Sequence, residues 1–247
     1  MKILDDSVNS PSIRERLRID LPQVLPPGEY RNAVYDANLA AHFIAGPVKR
    51  AQYLAQTNAE QKVRERPLCF VAATHEQELD RMAKIIGQRQ VLNERIGVIL
   101  PTNRLDHGIA EDLTEGGVAA ERAVAKENTD KISITFSFAN LLPKIATFYM
   151  AKSLTFDSVL LPRLTEKAYY WIIQDQRARI LFVGIARATQ WVYLSTVESS
   201  EFQEMAVLRE AADQGHLTMQ RGGGWRAGVE SGRGRAQERA REQDRRD

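Results

Sequence analysis

The sequence has few of the residue types and motifs on which a self-contained catalytic site depends. Its one cysteine, Cys69, lies in the apolar run Leu68–Val71, which excludes a disulfide framework and a zinc cluster of thiolates. No apolar run approaches the ~18 residues that a membrane-spanning helix needs, and the acidic start Met1–Asp6 lacks the apolar segment of a secretory leader. We therefore expect a soluble protein of the reducing cytoplasm that does not associate with a membrane.

Motifs that bind phosphate or carry hydrolytic chemistry are also missing. The chain contains no GxxxxGK(S/T) phosphate loop, so it has neither a backbone cradle for a triphosphate nor a lysine for its terminal phosphates. It contains no GxSxG nucleophile elbow and no HExxH zinc motif. The histidines are far apart in sequence, which predicts no metal site; they are His42, His75, His107 and His216.

An excess of charge of one sign is absent as well. The chain has 34 basic and 32 acidic residues, a formal net charge of +2. This near balance permits nucleic-acid binding without requiring it. With 43% hydrophobic residues, the 247-residue chain has enough apolar surface for one large α/β domain or two small ones.

Short apolar runs alternate with helical patterns through the middle of the chain. The runs predict strands at Leu68–Ala73, Ile96–Leu100, about Val118, Lys144–Tyr149, Ser158–Leu161 and Trp191–Leu194. The helical patterns are Ala33–Ile44, His75–Ile86 (capped by Thr74 and ended by Gly87), Leu105–Leu113 and Trp171–Ala188. Strands that alternate with helices predict a parallel sheet covered by helices on both faces.

Changes of composition suggest three regions. Residues 1–25 are a charged lead-in that ends at Pro26-Pro27-Gly28, residues 26–200 are the main domain, and residues 201–247 are a C-terminal helix and tail. Within the main domain, the polar stretch Lys49–Arg66 predicts a solvated loop or insertion. From about Gly215 glycines interleave with arginines and acids, which is typical of a disordered tail. That tail either makes non-specific phosphate contacts or, as we favour, is solvated without a partner.

Two segments are more specific. Ile145–Pro162 predicts strand, polar loop and strand, and Arg179–Trp191 predicts a helix with Arg187 near its C-terminal end, followed by a strand. Composition alone favours Arg187 as a charge that complements the helix dipole. Together, however, the segments resemble motifs V (T-x-H-S-A-K-G-L-x-F-D) and VI (L-Y-V-A-x-T-R-A) of UvrD/Rep-like superfamily 1 DNA helicases. Pro26–Asn32 resembles motif IV of that family, and Glu94–Asn103 resembles the strand and turn that follow it.

The resemblance covers roughly residues 21 to 197 and implies a function. It implies a RecA-like α/β domain, of the P-loop NTPase type but without its own P-loop, that forms the second of two motor lobes closing on one ATP with Mg²⁺. By position, Arg31 and Arg187 would be the catalytic arginines that contact the nucleotide, because a planar, always charged guanidinium suits a developing phosphate charge. The implied partners are single-stranded DNA and an N-terminal helicase lobe, in cis or in trans.

The motif V loop is implied to join the nucleotide to DNA. Here that implies Tyr149, Met150 and Lys152 near the DNA strand and Thr155 near the nucleotide. The loop departs from the family at three positions, where Tyr149, Met150 and Ser153 replace histidine, serine and glycine. In motif VI, Ala186 replaces a threonine, and the acid often found at the position of Thr155 is absent. These departures predict a diverged motor with weakened coupling.

Other functions stay open. The lobe could bind single-stranded DNA or a protein without nucleotide chemistry, or the chain could be a nonfunctional fragment of a broken helicase gene. The pair Asp5-Asp6 weakly resembles the acids of motif III, but the glutamine of that motif is missing. An unrelated enzyme on a doubly wound sheet is disfavoured because the sequence offers no catalytic constellation, and fold alone does not define function.

Overall fold

The computed structural model describes residues 33–57, 65–122, 124–128, 131–135 and 140–222. The described helices are α1 (Val34–Ala41), α2 (Pro47–Gln56), α3 (His75–Val91), α4 (Asn103–Glu115), α5 (Phe148–Ala151), α6 (Glu166–Tyr169), α7 (Gln174–Ile185) and α8 (Met205–Asp213). The described strands are β1 (Leu68–Ala72), β2 (Ile96–Leu100), β3 (Glu121–Arg122), β4 (Val124–Asn128), β5 (Lys131–Thr135), β6 (Lys144–Thr147), β7 (Phe156–Leu161), β8 (Ala188–Val197) and β9 (Thr218–Arg221).

Seven of these strands form one sheet in the order β3-β6-β2-β7-β8-β1-β9. Every pairing in that sheet is parallel. Strand β2, near its middle, is buried along its whole length, as expected for a strand with both faces covered. Strands β4 and β5 form a separate antiparallel pair that the sequence reasoning missed. The predicted α/β fold with a parallel sheet is confirmed.

Alternate residues of each strand supply two apolar cores, one on each face of the sheet. In β1, Cys69 and Val71 point to the first core, while Phe70 points to the second. The first core includes residues of α1, α7 and α8, and the second includes residues of α3 and α4. Burial raises the pKa of the Cys69 thiol to about 12, so this cysteine is a packed core residue, as predicted.

Threonines begin four of the helices that follow strands. The hydroxyl oxygen of Thr74 accepts a hydrogen bond from the amide of Gln77, which confirms the predicted start of α3. Thr102, Thr147 and Thr165 accept equivalent bonds at the starts of α4, α5 and α6. Each cap satisfies an amide that the first helical turn leaves without a partner.

Several predicted boundaries were wrong. Strand β6 ends at Thr147 rather than Tyr149, because the Thr147 cap starts the short helix α5 there. Helix α3 passes through Gly87 and ends at Val91. The predicted loop Lys49–Arg66 contains most of α2, whose one buried residue, Tyr53, leaves little apolar pattern to read. The strand expected about Val118 is β3, three residues later, and the helix expected over 171–188 is α7, which is shorter.

The C-terminal region adds a strand to the sheet. Residues 218–221 form β9, which pairs with β1, so the predicted tail from Gly215 is wrong for these residues. The remainder of the predicted tail, residues 223–247, and the lead-in 1–25 lie outside the described residues, and the division into three regions stays a prediction. In the described part of the chain, no helix is long and apolar enough to span a membrane.

Candidate functional site

Two predicted site residues, Thr155 and Arg187, lie at the edge of the sheet where β7 and β8 begin. Register pairs Phe156, the first residue of β7, with Ala188, the first residue of β8. The residues just before these strands are therefore neighbours. The amide of Phe156 donates a hydrogen bond to the carbonyl oxygen of Arg187 at 2.9 Å, which fixes the start of β7 against the end of the turn after α7.

The guanidinium of Arg187 joins two segments of the chain. Its Nη1 donates to the carbonyl oxygen of Lys152 at 2.6 Å, and its Nε donates to the carbonyl oxygen of Val183 at 3.3 Å. The second bond complements the C-terminal end of α7, as composition alone had favoured. The first bond holds the loop between β6 and β7, which is the segment that resembles motif V. Arg187 thus connects the segments that resemble motifs V and VI.

The loop residues predicted to contact ligands differ in exposure. Lys152 and Thr155 are exposed, and 45% of Tyr149 is exposed on the outer side of α5. The side chain of Met150 is instead buried in the first core. Of the three residues predicted to lie near DNA, two present their side chains at the surface. Arg31 lies outside the described residues, as do Asp5 and Asp6.

A charged pair beside this loop was missed by the sequence reasoning. Arg95, just before β2, donates from its amide and its Nε to Asp157 Oδ2 at 2.9 and 3.1 Å. Burial alone would raise the pKa of Asp157, but the hydrogen bonds and the charge of Arg95 outweigh burial and hold that pKa below its ordinary value. The signal was available, because opposite charges flank the starts of two apolar runs that form neighbouring strands.

At the opposite edge of the sheet, one acidic side chain is bound by groups of the protein itself. The buried Glu78 accepts hydrogen bonds from the amide of Arg163 at 2.9 Å and from the hydroxyl of Ser195 at 2.7 Å. The Nε of Arg163 also lies 3.4 Å from the second oxygen of Glu78. Arg163 has a φ of 60°, a conformation that is strained for a residue with a side chain and is held here by this carboxylate. Parallel sheets commonly bind ligands at this edge, but here Glu78 serves the fold.

Two of the four histidines come together although they are 174 residues apart in sequence. His42 Nε2 lies 3.1 Å from His216 Nδ1, which joins the end of α1 to the turn before β9. Burial lowers the pKa of both histidines, and the pKa of His42 is lowered further by His216 and Arg50 and raised by Glu210. Within the described residues, no group of three or more histidines, cysteines or acids could hold a metal ion.

The histidine pair predicts a pH dependence of stability. A histidine whose pKa is lowered in the folded state binds fewer protons than in the unfolded chain, so folding loses stability as the pH falls below the unfolded value of about 6.5. We expect the free energy of unfolding, measured by urea denaturation, to fall between pH 7.5 and pH 6.0. His42→Gln should flatten that dependence. An equal pH dependence in the two proteins would contradict the prediction.

The sheet order and the helices on both faces define an α/β domain built on a parallel sheet. No family model matches the chain, and no curated protein matches it. Among solved structures, the chain is similar to the crystal structure of the C-terminal domain of a possible DNA helicase from Lactobacillus plantarum WCFS1, with a TM-score of 0.55 and 12% sequence identity. The match covers 77% of this chain and 98% of that one, so the two share a fold.

Proposed function

We propose that this chain is the second motor lobe of an ATP-dependent DNA helicase or translocase. The hydrogen bond from Arg187 Nη1 to the carbonyl oxygen of Lys152 carries the proposal, because it links the arginine of motif VI to the loop of motif V. The fold supports it, since the similar solved structure is described as a domain of a possible DNA helicase. The resemblance of motifs IV, V and VI in family order supports it further.

The proposed coupling works through exchange of a hydrogen bond. A phosphate oxygen is a stronger acceptor for a guanidinium than the carbonyl of Lys152, because it is charged. When Arg187 turns to such an oxygen, it releases the loop that carries Tyr149 and Lys152. Nucleotide occupancy then changes the grip of that loop on single-stranded DNA, as a ligand does when it favours one of two conformations.

Two described residues support a contact with one side of a nucleotide. Arg187 and Thr155 lie at the same edge of the sheet and offer N–H and O–H donors, as the phosphates and sugar of ATP require. Asp157, the neighbouring acid, is engaged by Arg95 and does not offer a ligand for Mg²⁺. Both the Mg²⁺ ligands and the phosphate cradle would therefore come from the other lobe, in cis or in trans.

Arg31 is proposed as the second arginine on the resemblance to motif IV alone, because it lies outside the described residues.

DNA binding by the purified chain tests the loop directly. We expect a fluorescent oligo-dT to bind with an affinity that falls as salt rises, measured by anisotropy. Lys152→Ala should make the slope of log affinity against log salt shallower by about 0.7, the loss of one phosphate contact on a single strand. Tyr149→Ala should weaken binding by about 1–3 kcal/mol through lost base stacking. Lys167→Ala, an exposed lysine on α6, is the matched control and should change neither quantity.

The same chain should not turn over ATP, with or without DNA. Turnover that is stimulated by DNA and abolished by Arg187→Ala would contradict the division of labour between two lobes. No detectable DNA binding, or equal losses in Lys152→Ala and Lys167→Ala, would contradict the role of the loop.

One observation favours a second function, a module that binds single-stranded DNA without nucleotide chemistry. Both bonds of Arg187 described above go to carbonyl oxygens of the protein itself, and they stabilise the fold without a nucleotide. In that case, an assembly of this chain with an N-terminal lobe would bind DNA with an affinity that ATP does not change. A change of DNA affinity with ATP that is lost in Arg187→Ala would instead support the motor lobe.

A further inference from the structure

The loop between β6 and β7 has two halves that differ in how they are held. The first half is helix α5, in which Phe148, Met150 and Ala151 are buried in the first core and Tyr149 is exposed. The second half, residues 152–155, is exposed except for one partly buried leucine. Packing therefore anchors the first half of the loop more firmly than the second.

A glycine in α7 makes room for the anchored half. A Cβ built on Gly184 would lie 2.6 Å from Cε1 of Phe148 and 3.0 Å from Cδ2 of Leu161. Real Cβ atoms essentially never come within 3.0 Å of another heavy atom, so an alanine at this position would displace the Phe148 ring. The ring thus lies directly against the backbone of α7, a close approach that only glycine allows.

The exposed half is held by the candidate site itself. The carbonyl oxygen of Lys152 accepts a hydrogen bond from Arg187 Nη1 at 2.6 Å, and the amide of Leu154 donates to the carbonyl oxygen of Ala151 at 3.0 Å. The first bond comes from the guanidinium that is proposed to turn to a phosphate. The packing of α5 on α7 shares no atom with this bond, so Arg187 can leave Lys152 while α5 stays in place.

We propose that Gly184 and Phe148 are positioning residues that fix Tyr149 on α7. Nucleotide then changes only the contact that Lys152 makes with DNA. This inference rests on the proposed function and confines the release of the loop to residues 152–155. The aromatic ring stacks on a base whether or not nucleotide is bound. Nucleotide therefore alters the salt-dependent part of the affinity for DNA and leaves the stacking part unchanged.

Amide hydrogen exchange on the purified chain, measured by NMR, tests this division without DNA. The amide of Met150 donates to Thr147 Oγ1 at 3.4 Å and reports on the anchored half, whereas the amide of Leu154 reports on the exposed half. We expect Arg187→Ala to speed exchange at Leu154 by roughly tenfold or more, the effect of losing a hydrogen bond from a charged group. Exchange at Met150 should not change. The ratio of the two rates within one protein cancels a change of global stability.

Gly184→Ala tests the anchor itself. We expect it to speed exchange at Met150 by roughly 5- to 150-fold, the range that overpacking of a core gives. Adding Phe148→Leu should slow this exchange again, because leucine lacks the Cε1 atom that the new methyl group meets. Gly87→Ala, where a Cβ meets no atom within 4 Å, is the matched control and should not speed exchange at Met150. A double variant that folds where Gly184→Ala does not would support the close contact equally.

The affinity for oligo-dT measures the consequence for DNA. In the Arg187→Ala background, Lys152→Ala should no longer change the salt slope. Tyr149→Ala should still weaken binding there by roughly 5- to 150-fold, the loss of stacking on one base. In the Gly184→Ala background, Tyr149→Ala should instead have little further effect. Loss of the Tyr149 contribution in Arg187→Ala would place that residue on the released half and contradict the proposal.

Two exchange results would overturn the proposal. Equal acceleration at Met150 and Leu154 in Arg187→Ala would show that the loop moves as one unit. An unchanged rate at Met150 in Gly184→Ala would show that the close contact does not hold α5. A chain that binds no DNA would contradict the proposed function, and the exchange rates would still decide whether the loop has two halves.

Discussion

Replacing Arg177 by alanine is expected to lower the free energy of unfolding by about 3 kcal/mol, because it removes a buried cation and leaves the buried carboxylate of Glu204 without its nearest cation. The Arg177 side chain is 9% exposed, and its Nη1 donates to both oxygens of Glu166, a carboxylate that is 47% exposed, at 2.9 and 2.8 Å. Its Nε and Nη2 donate to the carbonyl oxygens of Ile172 and Tyr169 at 3.2 and 3.3 Å. The truncation therefore removes four hydrogen bonds of one buried guanidinium.

Urea denaturation of the purified variant measures this loss. Arg95→Ala is the matched control, because it also removes an arginine from an ion pair with a carboxylate. Arg95 is 50% exposed and Asp157 is 16% exposed, so solvent screens that pair and we expect a loss of about 1 kcal/mol or less. Equal losses in the two variants would show that the burial of the arginine does not set the size of the loss.

The apolar strands of the sheet were predictable because burial on both faces leaves a continuous apolar run. Strand β2 was predicted with its observed bounds, and β1 to within one residue, for this reason. Strand β9 carries no such signal, since it is a polar edge strand of the sequence Thr-Met-Gln-Arg. It is held by backbone hydrogen bonds to β1, which require no particular side chains.

The end of α3 was predicted wrongly because Gly87 was taken as its C-terminal boundary. A glycine ends a helix when the chain needs a positive φ there, and Gly87 is not among the residues with positive φ. An exposed glycine inside a long helix reduces its stability by roughly 1 kcal/mol relative to alanine, which the buried face of α3 offsets. The apolar residues Met82, Ile85 and Ile86 supply that face.

The candidate site could be predicted only in part from the sequence, because its contacts join residues that are distant along the chain. The resemblance to motifs V and VI selected Lys152 and Arg187, but no local pattern reveals that the guanidinium of one donates to the carbonyl of the other. The pair Arg95 and Asp157 is separated by 62 residues. Periodicity reports which face of an element is buried, whereas such pairs depend on which strands become neighbours in the sheet.

Replacing Gly97 by alanine is expected to lower the free energy of unfolding by about 1–3 kcal/mol, the usual result of overpacking a core. Gly97 is the second residue of β2, and a Cβ built there would lie 2.5 Å from Cδ2 of Phe156, a fully buried ring. Gly87→Ala is the matched control of opposite sign, because a Cβ at Gly87 meets no atom within 4 Å. It should stabilise the protein by about 0.5–1 kcal/mol, as alanine does inside a helix. Urea denaturation of both variants measures the two changes in the free energy of unfolding, and changes of the same sign would contradict the prediction.

The functional consequence of Gly97→Ala follows from the position of Phe156. The ring that must move belongs to the first residue of β7, whose amide donates to the carbonyl oxygen of Arg187. We therefore expect the amide of Phe156 to exchange its hydrogen faster in Gly97→Ala than in Gly87→Ala when both are compared at equal global stability. Unchanged exchange would mean that the ring relaxes without disturbing the strand. Faster exchange would show that the packing of β2 holds the start of β7 against the turn at Arg187, on which the proposed coupling between nucleotide and DNA depends.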